Sequence, residues 1–169
     1  GVRLAGNAAA GGRSGGPAPA VCKIFMADAD LLSRRRELIE EIFGPATIVF
    51  RCRDTAQMLD IARDMPGSLT ATIHGTEKEL LAHGALARAL QRRAGRLLFN
   101  GFPTGLEPCP ALHHGGPYPA TTHSFFTSVG TAAIYRYARP VCFHGFPDAA
   151  LPEELREGNP RKVRRLVDG

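Results

Sequence analysis

Three groups of side chains in this 169-residue sequence have the types and spacing to do chemistry. Cys109-x-x-x-His113-His114, followed by His123 and Cys142-x-His144, supplies metal-ligand residue types. Zinc patterns need two closely spaced ligand pairs, and none of these spacings matches one, so no metal site is expected. Solvated or hydrogen-bonded loop histidines account for the same residues. Cys109 with His113 or His114 also offers a nucleophile and a base. A reactive thiolate needs a basic or helix-N-terminal setting, whereas Pro108 and Pro110 hold Cys109 in an extended loop, so no catalytic residue is assigned. The third group is Glu40-Glu41-Ile42-Phe43-Gly44-Pro45. A carboxylate there can accept hydrogen bonds from sugar hydroxyls while a ring two residues on packs against a planar ligand. On the residues alone, a surface Glu41 and a core Phe43 is the plainer reading. Gly11-Gly12-Arg13-Ser14-Gly15-Gly16 lacks the Lys-Ser/Thr of a phosphate-binding loop and reads as a flexible connection.

The elements that must position these groups follow from periodicity. Residues 1–6 and 21–26 read as strands, separated by an Ala/Gly/Pro-rich stretch over 7–20. Residues 28–41 allow one or two helical turns before Gly44-Pro45 stops them. Ala46 to Cys52 is a β-branched apolar run and reads as a buried strand. Asp54 can cap a helix over 55–65, with Met58, Leu59, Ala62 and Met65 on one face. Residues 68–74 form the next strand. Thr76-x-x-Glu79 is a capping box that opens a helix reaching about residue 94, with Leu80, Leu81, Leu86 and Leu90 among its apolar residues. Residues 96–100 form a third strand. Strand, helix, strand, helix, strand predicts an α/β layer with parallel strands and crossover helices. Beyond it come a long loop over 101–124, a short helix near 128–137, a last strand over 139–144, and a charge-balanced tail.

Composition narrows the class. Hydrophobic residues are 44% and charged residues 22%, which excludes a wholly disordered or collagen-like chain. No run approaches about 18 apolar residues, so no membrane helix and no membrane partner are expected. Lys+Arg 21 against Asp+Glu 16 gives +5, and only Lys23, Lys78 and Lys162 are not arginine. That charge is dispersed rather than gathered in a stripe, so nucleic acid is not an expected partner. Four cysteines without a C-x-x-C pair, and no signal-peptide pattern, predict reduced thiols and a cytoplasmic location. The first residue, Gly1, is not Met, which hints at a processed product or a piece of a longer chain.

Glu41-Ile42-Phe43-Gly44-Pro45 followed by ATIVF resembles the E-x-F-G-P segment of the aldehyde dehydrogenase superfamily. Residues 68–74 and Gly95-Arg96-Leu97-Leu98-Phe99-Asn100-Gly101 resemble its next two strands. NGFPTGLEPCPALHHGGPYPATT over 100–122 and TSVGTAAIYRYARPVCF over 127–143 are similar to the branch containing α-ketoglutarate-semialdehyde and fatty-aldehyde dehydrogenases, many of them NADP-dependent. The tail over 146–152 and 165–169 fits as well. Phe125-Phe126 stands where that pattern has polar residues, Pro110 where it has His, and Arg161-Lys162-Val163-Arg164 is more basic.

The resemblance covers nearly the whole chain but only the family's C-terminal part. It implies a parent enzyme that oxidises an aldehyde to a carboxylate with NADP or NAD through a cysteine thioester hydrolysed by a glutamate-activated water. The cysteine, the glutamate and most of the Rossmann-type cofactor domain would precede residue 1, leaving this chain alone inactive. Fold class is then a partial aldehyde dehydrogenase catalytic layer over 1–138, plus a subunit-contact strand and tail over 139–169. The resemblance places Glu41 on the nicotinamide ribose and Phe43 at the nicotinamide end. It places Phe102, Pro103, Thr104 and Leu106 in one wall of the aldehyde pocket, and it makes the enzyme a dimer or tetramer. The alternative is a non-catalytic remnant that binds subunits through an exposed strand edge.

Overall fold

The computed structural model describes residues 1–9, 21–103, 105 and 107–167. Two units follow one another along the chain, residues 1–133 and 134–169.

The first unit is a mixed α/β arrangement. Strand β1 (Arg3–Ala9) runs antiparallel to β2 (Val21–Asp28), with a slip that leaves Ala5 unpaired between Leu4 and Gly6. The low-complexity stretch expected over 7–20 therefore begins as strand at Asn7–Ala9, and the rest of it lies outside the described residues. Strand β2 pairs in parallel with β3 (Ala46–Arg51), from Lys23 opposite Ala46 to Asp28 opposite Arg51. The parallel crossover between them is built of two short 3-10 turns, Ala29–Ser33 and Arg36–Ile39.

After β3 comes α1 (Thr55–Asp64), whose first turn is capped by the Asp54 carboxylate accepting from Gln57 N–H at 2.8 Å. Strand β4 (Ser68–Ile73) pairs in parallel with β5 (Ala94–Phe99), Ser68 opposite Ala94 and Ile73 opposite Phe99. Between them the expected single helix is two: α2 (Glu77–Ala82) and α3 (Gly84–Gln91). The break falls at His83, whose ψ of 33° leaves the helical region just before Gly84, the poorest helix former after proline. The capping box is formed. Glu79 N–H donates to Thr76 Oγ1 at 3.2 Å and Thr76 N–H donates to Glu79 Oε2 at 2.8 Å. Two donors from Thr76, first its backbone N–H and then its Oγ1 hydroxyl, each at 2.8 Å from Glu79 Oε2, hold the Glu79 carboxyl below the usual carboxylate range.

One expectation fails here. β3 and β4 do not pair, so the strands form a three-stranded sheet, β1-β2-β3, and a two-stranded sheet, β4-β5, instead of one layer. The pairs β2–β3 and β4–β5 are parallel across a crossover and β1–β2 is antiparallel, and among the described residues no ladder joins the two sheets. The strand β3 is accordingly covered on one face only. Ala46, Ile48 and Phe50 are half-buried, while Val49 on the other face is 45% exposed. Leu81, counted among the apolar residues of its helix, faces solvent at 83%. Among the described residues the core consists of Ala27, Ala29, Leu32, Ala62 and Ala89, and no large side chain is fully buried.

From Asn100 to Gly130 there is no regular element among the described residues, as the Gly/Pro content predicts. The segment is nevertheless seated closely. A Cβ on Gly95 would lie 1.9 Å from the Gly115 carbonyl oxygen, and one on Gly116 would lie 2.5 Å from the Ser68 oxygen. Backbone meets backbone there because neither residue has a side chain. The buried Thr127 hydroxyl then accepts from His114 N–H and donates to the Val129 carbonyl, both at 2.8 Å.

The second unit holds two 3-10 turns, Asp148–Ala150 and Glu153–Leu155. Residues 139–144, expected as a strand, are not one. A strand exists only through its ladder, and residues 139–144 pair with no described segment. The short helix expected near 128–137 is a 3-10 turn, Thr131–Arg136.

The seating on Gly95 gives a direct expectation. Gly95→Ala should cost about 1–3 kcal/mol in chemical denaturation through forced displacement of Gly115. Gly158→Ala, where nothing lies within 4 Å of the added methyl, should stay within about 0.5 kcal/mol.

Candidate functional site

Parallel strands gather ligands at their carboxyl ends, where the chain turns outward. The carboxyl ends of β4 and β5 carry His74, Gly75 and Asn100. Asn100 has φ 51°, a left-handed conformation that Asn tolerates better than most residues. Its side chain closes a two-way amide clamp. Asn100 Nδ2 donates to the Gly75 carbonyl at 2.8 Å, and Gly75 N–H donates to Asn100 Oδ1 at 2.9 Å. Asn100 N–H also donates to the Ile73 carbonyl at 2.9 Å. Three hydrogen bonds thus lock the two strand ends together and set the chain's exit into Phe102. The Phe102 ring, 76% exposed, lies 5.4 Å from the His74 ring at 47°.

His74 and Gly75 open onto a cleft of about 950 Å³. Its wall is mainly apolar: Ile48 and Phe50 of β3, Met58 and Ile61 of α1, and Leu86 and Leu90 of α3. Glu41 lies on its rim side, after the Arg36–Ile39 turn. The structure therefore brings Glu41 and His74 to one cleft, with Phe102 stacked on the latter.

The other expected residues are placed differently. Phe43 does not enter the core, because its ring is 98% exposed. Pro103 lines a separate, smaller hollow. Thr104 and Leu106 lie outside the described residues. His74 and Asn100 were missed by motif reading. The available signals were an Asn between an apolar strand and a Gly, and a His immediately after one.

The thiols divide by environment. Cys22, Cys109 and Cys142 are exposed and Cys52 is half-buried. Burial first, and then the nearby Asp54 carboxylate, pushes the Cys52 thiol up, away from the thiolate form. Among the described residues, no three His, Cys, Asp or Glu side chains are grouped to hold a metal ion. No helix of the described residues is long and apolar enough to cross a membrane.

Fold and site together define a piece of α/β protein, with parallel strands whose carboxyl ends face an apolar cleft. Comparison with known sequences gives the family. The chain is 48% identical over 129 residues, 76% of its length, to a protein named alpha-ketoglutaric semialdehyde dehydrogenase 2 from Azospirillum brasilense. It is also 48% identical over 147 residues, 86% of its length, to alpha-ketoglutaric semialdehyde dehydrogenase from Acinetobacter baylyi. No protein-family model matches. Identity of this extent makes the chain a member of the aldehyde dehydrogenase family. It spans 25% and 28% of the length of those two relatives.

Two measurements check the site. Asn100→Ala removes both arms of the clamp and places a Cβ-bearing residue without local hydrogen bonds at positive φ. Stability to denaturant should fall by about 2–3 kcal/mol, with amide exchange at Gly75 rising most. In mass-spectrometric thiol labelling near neutral pH, Cys52 should be the slowest of the four cysteines.

Proposed function

We propose that these residues are part of an enzyme that oxidises an aldehyde to a carboxylate with NAD(P)+, and that α-ketoglutaric semialdehyde is the substrate. The observation that carries this reading is the 48% identity, over most of the chain, to two proteins bearing that substrate's name. Glu41 would accept hydrogen bonds from the nicotinamide ribose hydroxyls. Phe43 would pack against the nicotinamide end. The residues fit these roles: Glu41 forms no ion pair among the described residues, and Phe43 presents an uncovered ring two positions away. The dinucleotide supplies the hydride acceptor when bound. Phe102 and Pro103, with Thr104 and Leu106, would form one wall of the aldehyde pocket. Phe102 is held near the strand ends by the Asn100 clamp and the His74 ring.

The nucleophilic cysteine and the glutamate that activates water belong, in this reading, to polypeptide outside the 169 residues. Support comes from the packing. A five-residue core beside an apolar cleft of about 950 Å³ suits a segment that is completed by further chain. The extended run Arg139–Phe143, which has no strand partner here, would pair with a neighbouring subunit of a dimer or tetramer. The unpaired edge of β3 also suits the second reading, a non-catalytic module that binds other subunits.

The purified chain should give no NADH or NADPH when mixed with α-ketoglutaric semialdehyde and either oxidised dinucleotide. Aldehyde-dependent reduced dinucleotide that disappears in Cys109→Ala would overturn the assignment of the nucleophile to residues outside it. In the whole enzyme, Glu41→Gln should lower kcat by about tenfold or more while leaving the amount of folded protein unchanged.

A further inference from the structure

The side of the β4–β5 sheet facing the Gly115 segment holds a second hollow, of about 370 Å³. Its lining is Leu69, Thr70, Arg96, Pro103, Gly105 and His114. Thr70 and Arg96 are direct partners in the parallel register, so their side chains stand on the same face. His114 reaches them because Gly95 and Gly115 let the two backbones touch. Its backbone is fixed at both ends: the N–H donates to Thr127 Oγ1 at 2.8 Å, and the carbonyl accepts from Ser128 N–H and Ser128 Oγ, both at 3.0 Å.

Arg96 is the anomaly. Its Nε is buried and has no hydrogen-bond partner among the described residues. Buried N–H groups are almost always paired, and a guanidinium is a planar fork of five donors with no acceptor of its own.

We infer that this hollow is a binding site for a small carboxylate anion, held by the Arg96 guanidinium with Thr70 and His114 beside it. A carboxylate matches the guanidinium fork with two parallel N–H···O bonds and satisfies the buried Nε–H. Among the described residues no Asp or Glu lines the hollow to compete for the cation. Leu69 and Pro103 offer apolar contact for the acid's carbon chain, and the volume suits a molecule of a few carbons. The inference goes beyond the dehydrogenase reading and does not need it: it rests on the Arg96 geometry and concerns binding rather than turnover.

The test is a titration of the isotope-labelled whole enzyme with sodium succinate at constant ionic strength, followed by nuclear magnetic resonance. The Arg96 Nε–Hε signal, identified by its loss in Arg96→Lys, should shift saturably, together with the Thr70 and His114 amides. Inorganic phosphate should bind about tenfold more weakly, and Arg96→Gln should weaken succinate by about tenfold or more. Absence of a saturable shift, or an equal response in a folded Arg96→Gln, overturns the proposal. Equal or tighter phosphate binding overturns its carboxylate preference. If Arg96→Gln does not fold, Thr70→Val decides: several-fold weaker succinate binding supports the site, and unchanged binding contradicts it.

Discussion

The apolar faces of β3, α1 and α3 converge on a cleft that no side chain of the described residues fills, and most features of the first unit follow from that shortage of buried surface. Burial of apolar area is the main force holding elements together, at about 25 cal/mol per Å². Here the buried apolar residues, among those described, are four alanines and one leucine, which contribute little area. The larger side chains that sequence periodicity aims inward, such as Ile48, Met58, Ile61 and Leu90, reach the cleft wall and stop. With so little to bury between them, the β1-β2-β3 and β4-β5 sheets remain separate ladders.

What local order exists is held by backbone and capping interactions. The Thr76–Glu79 box and the Asp54 cap fix the helix starts. The Asn100–Gly75 clamp joins the ends of β4 and β5, and the glycine contact between residues 95 and 115 seats the long loop at their beginnings. These interactions need only neighbours in the same chain, so they form even where tertiary packing is thin. They place both hollows: one at the carboxyl ends of the strands, and one on the face beneath the Gly115 segment.

The same division explains what was legible in the sequence. Capping signals at Asp54 and Thr76, the strand runs expected over 46–52 and 68–74, and the parallel crossover from β4 to β5 are local and were readable, although the single helix expected in that crossover is broken at His83. The single layer was not formed, because strand order depends on partners that periodicity does not name. Residues 139–144 have the composition of a strand but no edge to join. Phe43 reads as core by its chemistry and is exposed because no described element covers it. Glu41 does lie on a ligand-sized cleft, whereas His74, Asn100 and the unpaired Arg96 carry no motif and emerge only from geometry.

The central claim is that this member of the aldehyde dehydrogenase family has an apolar core completed by polypeptide beyond its 169 residues. Guanidinium denaturation of the isolated chain, with a hydrophobic dye present before and during the transition, tests it most directly. The account predicts dye binding in the absence of denaturant and a shallow transition, with an m value well below that expected for a chain of this length. A steep, single cooperative transition with a full-sized m value and no dye binding would contradict it.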